Sequence, residues 1–385
     1  MNVTISVCGS FPAAYHYGRY LEERGRLTRL LNPLPYSRTK RFGVSKEKTR
    51  SLWVFGGAHY LNNLYAPPRL NSWNQYALDV AFDNAVARQL GSPDIVNVWA
   101  ANGLATIRRA HRLGLKAVLH TGSTHIVWQT ETLREEFRRL RFDGALTRPA
   151  LVRRTVAEYE EADAIVVSSR FALRTFVQAG VPECKLFCVH EAARPVTSKP
   201  RDRRDAMPRI LFVGNCSIRK GIPYLLQAFR QLRTRATLRL VGPIDQRLLD
   251  LIGGLPEGAE AVGPRRGDAL AAEYSDADVF CLPSVEDGWG LVVSEAMSAG
   301  LPVVVSDQAG AAEQVEDGVN GFVVPARDSA ALAAKLEELV ADRDLRERIG
   351  AAAVAAVSGR DWRAYGEELD EQVFLPLYKG RGGGR

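Results

Sequence analysis

The sequence lacks any run of about 18 uncharged apolar residues, so no membrane-spanning helix is expected. Its first residues, 1–8, read as a β-strand, and no basic and then apolar secretory signal precedes them. Cysteine is scarce: the five residues, at positions 8, 184, 188, 216 and 281, are odd in number and show no zinc-ligand spacing. These absences exclude a disulfide scaffold and predict reduced thiols in a cytoplasmic protein.

The chain is long enough for two domains, and its charge is unevenly divided between them. At 385 residues with 46% hydrophobic content, it can form two cores of ordinary domain size. The net charge of +7 combines +12 over residues 1–200 with −5 over residues 201–385. An ordinary solvated surface would explain this excess. Alternatively, the first half binds an acidic partner. This would be either the anionic inner face of a membrane, bound peripherally, or a phosphate-bearing acceptor. Nucleic acid is not expected, because no recognised binding motif accompanies the charge.

Short apolar runs alternate with amphipathic segments in both halves, which is typical of parallel sheets wrapped by helices. We therefore expect an α/β fold with two Rossmann-like domains, at residues 1–194 and 209–360, joined by a linker at 195–208. Residues 361–378 form an amphipathic segment, and the tail 379–385 is expected to be disordered. The predicted strands are 3–8, 52–55, 94–98, 116–120, 164–168 and 186–189 in the first half, and 210–213, 238–241, 279–282, 302–306 and 321–324 in the second.

The segment 284–325 carries the strongest chemical signal. Asp287 precedes a Gly-Trp-Gly turn, and Glu295 follows eight positions later, one turn into a predicted helix. Glycines at 288 and 290 allow a ligand to approach the backbone closely, and amide groups at a helix start bind phosphate readily. Because helical side chains lean toward the N-terminus, Glu295 should point back at the same place. Two acids beside an anion site indicate a ligand with both phosphate and hydroxyl groups, such as a nucleotide-linked sugar.

The residues from 287 to 304, DGWGLVVSEAMSAGLPVV, resemble the retaining, metal-independent glycosyltransferases of family 4. That family has Glu-x7-Glu within the pattern EGFGLVxxEAMAxGxPVV. Here Asp287 stands in place of the first glutamate, with Glu286 one position earlier. The resemblance implies the GT-B architecture, in which two doubly wound parallel-sheet domains face each other across a cleft and a final helix, here 361–378, crosses back to the first domain.

The resemblance also implies a set of donor-binding residues. Lys220 matches the phosphate-binding lysine, while Asn215 replaces a family arginine whose charge Arg219 would restore. Asp287 is expected to hold sugar hydroxyls, and Glu295 the ribose. Glu313 is expected to brace the loop near the donor. The remaining donor-side candidates are Arg265 and Arg266 at the nucleobase and the turn formed by Gly288, Trp289, Gly290 and Leu291.

The residues that bind the acceptor are expected in the first domain. Gly9 and Ser10 would face the cleft, and His16 and Tyr17 would line the acceptor site. His120 ends a strand where the family places a histidine beside the transferred sugar. His125 would either meet the acceptor or cap a helix. The pair Asp276 and Asp278 looks like the metal-binding D-x-D of other glycosyltransferases, but it matches a structural helix end, so no metal or further cofactor is expected.

The expected activity is that of a hexosyltransferase-type enzyme. It would move a sugar, with retention, from a nucleoside diphosphate sugar to a hydroxyl of a glycan, a lipid-linked or a small-molecule acceptor. UDP is the first candidate nucleotide, with GDP and ADP as alternatives, and the expected catalytic residues are Asp287, Lys220 and His120. Two other interpretations stay open: a pseudo-glycosyltransferase that couples a non-sugar, and a non-catalytic protein that binds nucleotide sugars. Base, sugar, acceptor and oligomeric state are not specified by the sequence.

Overall fold

The computed structural model describes residues 1–9, 11–196 and 207–380. The first part contains a sheet of seven strands, all parallel, in the order β3-β2-β1-β4-β5-β6-β7. The order reverses between β1 and β4, which is the doubly wound pattern that opens a crevice at the carboxyl ends of the strands. The strands are β1 (Val3–Ser6), β2 (Leu27–Asn32), β3 (Thr49–Ser51), β4 (Ile95–Trp99), β5 (Lys116–Thr121), β6 (Ala164–Val167) and β7 (Leu186–Cys188).

Helices cover both faces of this sheet, so the central strands are buried on both sides, and β4 has no exposed residue. Near-continuous apolar runs in these strands are what a two-sided parallel sheet requires. Two apolar clusters result, one on each face. The helices are α1 (Pro12–Glu23), α2 (Tyr36–Thr39), α3 (Trp53–Tyr65), α4 (Pro68–Ala87), α5 (Leu104–Arg112), α6 (Ile126–Arg139), α7 (Pro149–Glu161) and α8 (Arg170–Gln178), with 3₁₀ turns at Lys40–Phe42 and Glu183–Lys185.

The second part repeats the plan with six parallel strands in the order β10-β9-β8-β11-β12-β13. Its strands are β8 (Arg209–Val213), β9 (Thr237–Val241), β10 (Ala259–Ala261), β11 (Val279–Leu282), β12 (Val303–Ser306) and β13 (Gly321–Val324). One continuous apolar cluster surrounds this sheet. Its helices are α9 (Ile222–Phe229), α10 (Gln246–Leu251), α11 (Asp268–Ser275), α12 (Leu291–Ser298), α13 (Ser329–Ala341) and α14 (Arg343–Val357), with a 3₁₀ turn at Gly310–Gln314.

The end of the chain returns to the first sheet. Helix α15 (Trp362–Leu369), a π-helical turn (Asp370–Phe374) and α16 (Leu375–Lys379) follow α14, and α15 packs on α1. Tyr365 and Phe374 are buried in the same apolar cluster as Ile5 of β1. A buried carboxylate fixes the contact, because Asp370 accepts a hydrogen bond from the Tyr17 hydroxyl (2.9 Å) and pairs with Arg26 (2.8 Å).

Most predicted strands are confirmed within two residues of their ends. The predicted strand at 52–55 is wrong, because α3 begins at Trp53 and the strand lies just before it, at Thr49–Ser51. A short apolar run cannot by itself distinguish a strand from a turn of helix. Strand β2 was not predicted, since Arg29 interrupts its apolar run. The linker and tail boundaries stay predictions, because residues 197–206 and 381–385 lie outside the described residues.

None of the helices in the described part of the chain combines the length and the apolar character that a bilayer crossing requires.

Candidate functional site

The two sheets face each other through the loops at the carboxyl ends of their strands. Ser169, after β6, donates a hydrogen bond from its hydroxyl to the carbonyl of Gly288, after β11 (2.7 Å). A Cβ atom at position 288 would lie 2.5 Å from the Cα of Ser123 and closer still to the carbonyl oxygen of Gly122. Glycine is therefore required here by the approach of the opposite domain, whereas the sequence suggested the approach of a ligand.

Lys220 and Asp287 meet at the centre of this crevice. Lys220 lies in the loop between β8 and α9, and its ammonium group pairs with the carboxylate of Asp287. Both side chains are mostly buried, at 18% and 8% exposure, so water screens their interaction weakly. The two loops that carry these residues are also joined through the backbone, since the Val285 amide donates to the Arg219 carbonyl (2.8 Å). The sequence placed these two residues in one site, and the structure brings them into contact.

Arg219 is held by a carboxylate that the sequence analysis noted only in passing. Glu286 is fully buried, pairs with the Arg219 guanidinium, and accepts hydrogen bonds from the Thr124 hydroxyl (2.7 Å) and the Gln129 amide (2.9 Å) of the first domain. Arg219 is therefore neutralised by Glu286 in this arrangement. Asn215, in the same loop, is exposed. The idea that Arg219 replaces the charge missing at Asn215 stays a prediction.

Helix α12 presents an uncapped N-terminus to the crevice. Gly290, at the N-cap, has φ +96°, a conformation that side chains rarely adopt, and the helix has no side-chain cap where it begins at Leu291. Amide groups of this kind carry partial positive charge and bind anions. Trp289 is buried beside the turn and stacks on His190 of the first domain, with ring centroids 4.8 Å apart.

Glu295 lies one turn into α12 and accepts a hydrogen bond from the Tyr274 hydroxyl (2.8 Å). Burial raises the pKa of Glu295, while the Tyr274 hydrogen bond and the charge of Arg194 lower it in part. Arg265 reaches toward Glu273, with 3.7 Å between the charged atoms, and Arg266 is exposed. The two arginines therefore lie on the rim of the second domain, and the structure gives no contact that joins them to Lys220 or Asp287.

His120 occupies the carboxyl end of β5. Its ring is buried, stacks on Trp99 at 4.6 Å, and its Nε2 atom finds no hydrogen-bond partner among the described residues. Burial lowers the pKa of His120 to about 3, so the imidazole is neutral near pH 7. A neutral, unpartnered ring nitrogen at a strand end is suited to hydrogen-bond a ligand hydroxyl.

Glu191 is a candidate that the sequence analysis missed. It follows β7 closely, accepts a hydrogen bond from the Ser168 hydroxyl (3.2 Å), and lies close to Gly122. Burial raises the pKa of Glu191 to about 7, and the charge of Asp287 adds to the effect. Its position directly after the last strand of the first sheet was the available signal, because the carboxyl ends of parallel strands collect at one edge.

Glu313 links the two domains, whereas the expectation was that it braces the loop near the donor. Its carboxylate accepts the backbone amides of Arg170 (3.0 Å) and Phe171 (2.7 Å), and so caps α8 from the other side of the crevice. His190 also contacts it, at 3.2 Å. Helix N-termini favour a carboxylate at this position, so the contact stabilises the observed approach of the domains.

The acceptor-side candidates are largely separated from one another. Gly9 follows β1 with φ +123°, and Ser10 lies outside the described residues. Tyr17 is fully buried against Asp370, so its assignment to the acceptor site is corrected to the core. His16 stacks on Trp362 of α15, with ring centroids 4.6 Å apart. His125 accepts the Val127 amide and caps α6, which decides between its two open roles in favour of the cap.

The aspartates of the D-x-D sequence brace the sheet. Asp278 accepts the backbone amide of Arg209 (2.8 Å), and Asp276 lies 3.8 Å from the Arg209 guanidinium. Among the described residues, two other groups bring three possible ligand atoms together: one after β1 (Cys8, His59 and Asp79) and one at the crevice (Cys188, His190 and Glu313).

Comparison with known proteins identifies the second domain. The family described as "Glycosyl transferases group 1" matches residues 207–342. The match covers most of the second domain and none of the first. The match contains both Lys220 and the segment from Asp287 to Glu295, so the candidate donor-side residues lie within it.

Curated relatives support the same family. The chain is 35% identical over 171 residues to the sulfoquinovosyl transferase of Arabidopsis thaliana, covering 43% of this chain and 33% of that protein. It is 30% identical over 261 residues to the D-inositol 3-phosphate glycosyltransferase of Nocardia farcinica, covering 61% of this chain and 58% of the relative. The chain thus spans less than two thirds of the length of these relatives.

Solved structures show that the whole chain has the GT-B fold. Sucrose-phosphate synthase from Thermosynechococcus elongatus superimposes with a TM-score of 0.72 at 20% identity, covering 98% of this chain and 100% of that one. The Anabaena protein HepE in complex with UDP-glucose gives a TM-score of 0.71 at 17% identity, covering 97% and 99%. The expected architecture of two facing Rossmann-like domains is confirmed.

Proposed function

We propose that this protein is a glycosyltransferase that moves a hexose from a nucleoside diphosphate sugar to an acceptor hydroxyl, with retention of the anomeric configuration. One observation carries the proposal: the Lys220 ammonium group contacts Asp287 four residues before the uncapped N-terminus of α12. A lysine and a helix N-terminus so close together suit a diphosphate, and a carboxylate between them suits the hydroxyls of the attached sugar.

The leaving group determines what this site must stabilise. When the bond between the sugar and the diphosphate breaks, negative charge grows on the phosphate oxygens. Lys220 and the amides from Gly288 to Leu291 would stabilise that charge, because they are fixed before the reaction begins. Asp287 holds Lys220 in place until the donor arrives.

The sugar and the ribose would be held by the remaining polar groups of the crevice. Asp287 accepts hydrogen bonds from sugar hydroxyls, the neutral His120 ring meets the transferred sugar from the first domain, and Glu295 accepts from the ribose. In retaining transfer by front-face attack, the leaving phosphate oxygen takes the proton of the acceptor hydroxyl, so no enzyme nucleophile is needed. The contacts of Glu286 and Glu313 across the crevice would exclude water, which otherwise hydrolyses the donor.

UDP is the nucleotide we favour. HepE, which shares the fold, was captured with UDP-glucose, and GDP and ADP remain alternatives for this chain. The acceptor we favour is a hydroxyl on an anionic or membrane-associated molecule, since the first domain carries the positive charge. The proposal includes metal independence, in which Lys220 and the backbone amides supply the positive charge at the diphosphate.

Two other functions use the same pocket. A pseudo-glycosyltransferase would couple a non-sugar, and a sensor would bind a nucleotide sugar without releasing it. Asp287 and Asn215, which replace family residues, are the observations that favour these alternatives.

The test is nucleotide release from UDP-, GDP- and ADP-hexoses, measured with and without EDTA in acceptor mixtures. Release that EDTA does not change, and that Lys220→Ala removes while the partly exposed control Lys335→Ala retains it, supports a metal-independent transferase. Saturable binding without release supports a sensor. If calorimetry detects no binding of any of these sugar nucleotides, or of free UDP, GDP and ADP, the proposal is wrong.

A further inference from the structure

Helix α3 exposes its apolar side. Residues 51–68 include no lysine, arginine, aspartate or glutamate. The polar His59 and Asn62 face inward, toward α4, where Asn62 bonds Asn71 (3.0 Å) and Asn74 (2.9 Å). A surface helix normally presents polar residues to water, so this arrangement indicates an interaction surface. Beside the exposed Asn63, the outward side of α3 carries six large apolar residues that are between 54% and 78% exposed: Trp53, Val54, Tyr60, Leu61, Leu64 and Tyr65.

The apolar surface continues onto α4. Leu70 and Trp73 are each 53% exposed, and with the six residues of α3 they form what we call the apolar patch. Beyond Trp73, the exposed side of α4 carries Ala77, Ala81 and Asn84 before it reaches Arg88. Their spacing of three or four residues places them on one side of the helix. An uncharged strip thus leads from the apolar patch along α4.

The strip ends at a groove of about 610 Å³ lined by five arginines and by no carboxylate side chain. We call this the arginine groove; it lies between α4, α5 and α7. Two of its arginines are paired, Arg108 with Glu161 and Arg154 with Asp83. The guanidinium groups of the other three have no hydrogen-bond or ion-pair partner among the described residues: Arg88, Arg109 and Arg112.

A further arginine borders the apolar patch itself. The Arg148 guanidinium lies over the Trp73 ring, 4.3 Å from its centroid, and its Nε donates to the Ser72 hydroxyl (2.8 Å). Tryptophan and tyrosine beside arginine match the boundary between the headgroups and acyl chains of a bilayer, where aromatic rings and cations both find partners.

We propose that the apolar patch and the arginine groove together dock this protein on an anionic lipid bilayer. The side chains of α3 enter the boundary between headgroups and acyl chains, while Arg88, Arg109 and Arg112 contact phosphate headgroups. Since α4 is about 30 Å long, both contacts can form when that helix lies along the membrane plane. The docking does not require the proposed sugar transfer.

A bilayer fits this surface better than a second copy of the chain does. Self-association through the patch would bring two first halves together, each with a net charge of +12. Like charges brought into one interface repel each other, whereas a bilayer supplies both an apolar layer and negative charge.

Vesicle sedimentation with the full chain tests the docking, using phosphatidylglycerol and phosphatidylcholine vesicles. We expect binding to the anionic vesicles. The triple change Trp53→Gln, Leu61→Gln and Leu64→Gln should weaken it more than about tenfold. The triple change Arg88→Ser, Arg109→Ser and Arg112→Ser should weaken it roughly fivefold per arginine, and the deficit should shrink as salt increases.

Matched changes on the second domain serve as controls. These are Leu251→Gln, Val319→Gln and Val354→Gln for the apolar set, and Arg233→Ser, Arg235→Ser and Arg348→Ser for the arginines. Both controls should bind like wild type, and circular dichroism should show all variants folded. Calorimetry with UDP separates this inference from the proposed function, because the docking variants should keep nucleotide binding.

Three results would overturn the docking proposal. The first is that wild type does not bind anionic vesicles, and the second is that both docking variants bind as wild type does. The third is that ultracentrifugation finds a dimer that dissociates when the apolar patch is changed, which would assign the patch to a second copy.

Discussion

The two walls of the crevice differ in how their residues are brought together. On the second-domain wall, Lys220 and the run from Asp287 to Glu295 occupy two loop-to-helix junctions beside each other. On the first-domain wall, His16 and Tyr17 lie against the C-terminal helices, and His125 caps α6. A site built from short contiguous segments at strand ends can be predicted from sequence, whereas a wall assembled from distant elements cannot.

The largest expected effect concerns the second-domain wall. Lys220→Ala should lower kcat by about 10²–10³, because it removes a fixed positive charge from the place where the leaving diphosphate becomes negative. Nucleotide release from the active donor measures this, with Lys335→Ala as the control. If the variant keeps the wild-type kcat, Lys220 is dispensable. The second-domain wall would then be no better predicted from sequence than the first-domain wall.

The second prediction concerns the contact between the two walls at Gly288. Gly288→Ala should lower kcat by roughly 10- to 100-fold, because its new methyl group would collide with the backbone of Gly122 and Ser123 and hold the domains apart. Gly57→Ala is the matched control, since nothing lies within 4 Å of a Cβ at that position. Small-angle scattering should show a more open average shape for Gly288→Ala alone. An unchanged shape and rate would mean that the contact is not needed for catalysis.

The sequence predicted the sheets well because buried parallel strands read as apolar runs. It suggested Asp287 through the glycine-rich helix start that follows it, and Lys220 through the resemblance to family 4. It could not show that Gly288 serves the domain contact, since a glycine would equally allow a ligand to approach the backbone. Glu191 and Glu286 were not recognised as parts of the crevice, because their importance comes from partners more than 20 residues away: Ser168 for the first, and Thr124 and Gln129 for the second.

A smaller effect tests the reassignment of Tyr17 from the acceptor site to the core. Tyr17→Phe should cost about 1 kcal/mol of unfolding free energy, because it removes the hydroxyl that bonds the buried Asp370. It should leave the acceptor KM unchanged, since Tyr17 does not reach the crevice. Chemical denaturation and acceptor titration measure the two quantities, with the partly exposed Tyr378→Phe as control. A raised acceptor KM without a loss of stability would restore the original acceptor-side assignment.

The last expected effect is a pH dependence of stability at Glu191. Burial raises the pKa of this carboxyl from 4.5 to about 7, so the folded protein keeps a proton that the unfolded chain has lost between those values. Its contribution to stability is therefore complete below pH 4.5 and declines as the pH rises toward 7. Glu191→Gln stays neutral, so its Tm relative to wild type should rise between pH 4.5 and 7.5, while exposed Glu160→Gln should track wild type. If the Tm of Glu191→Gln changes with pH as the wild-type Tm does, Glu191 is charged and solvated. The first-domain wall would then have no buried acid opposite Asp287.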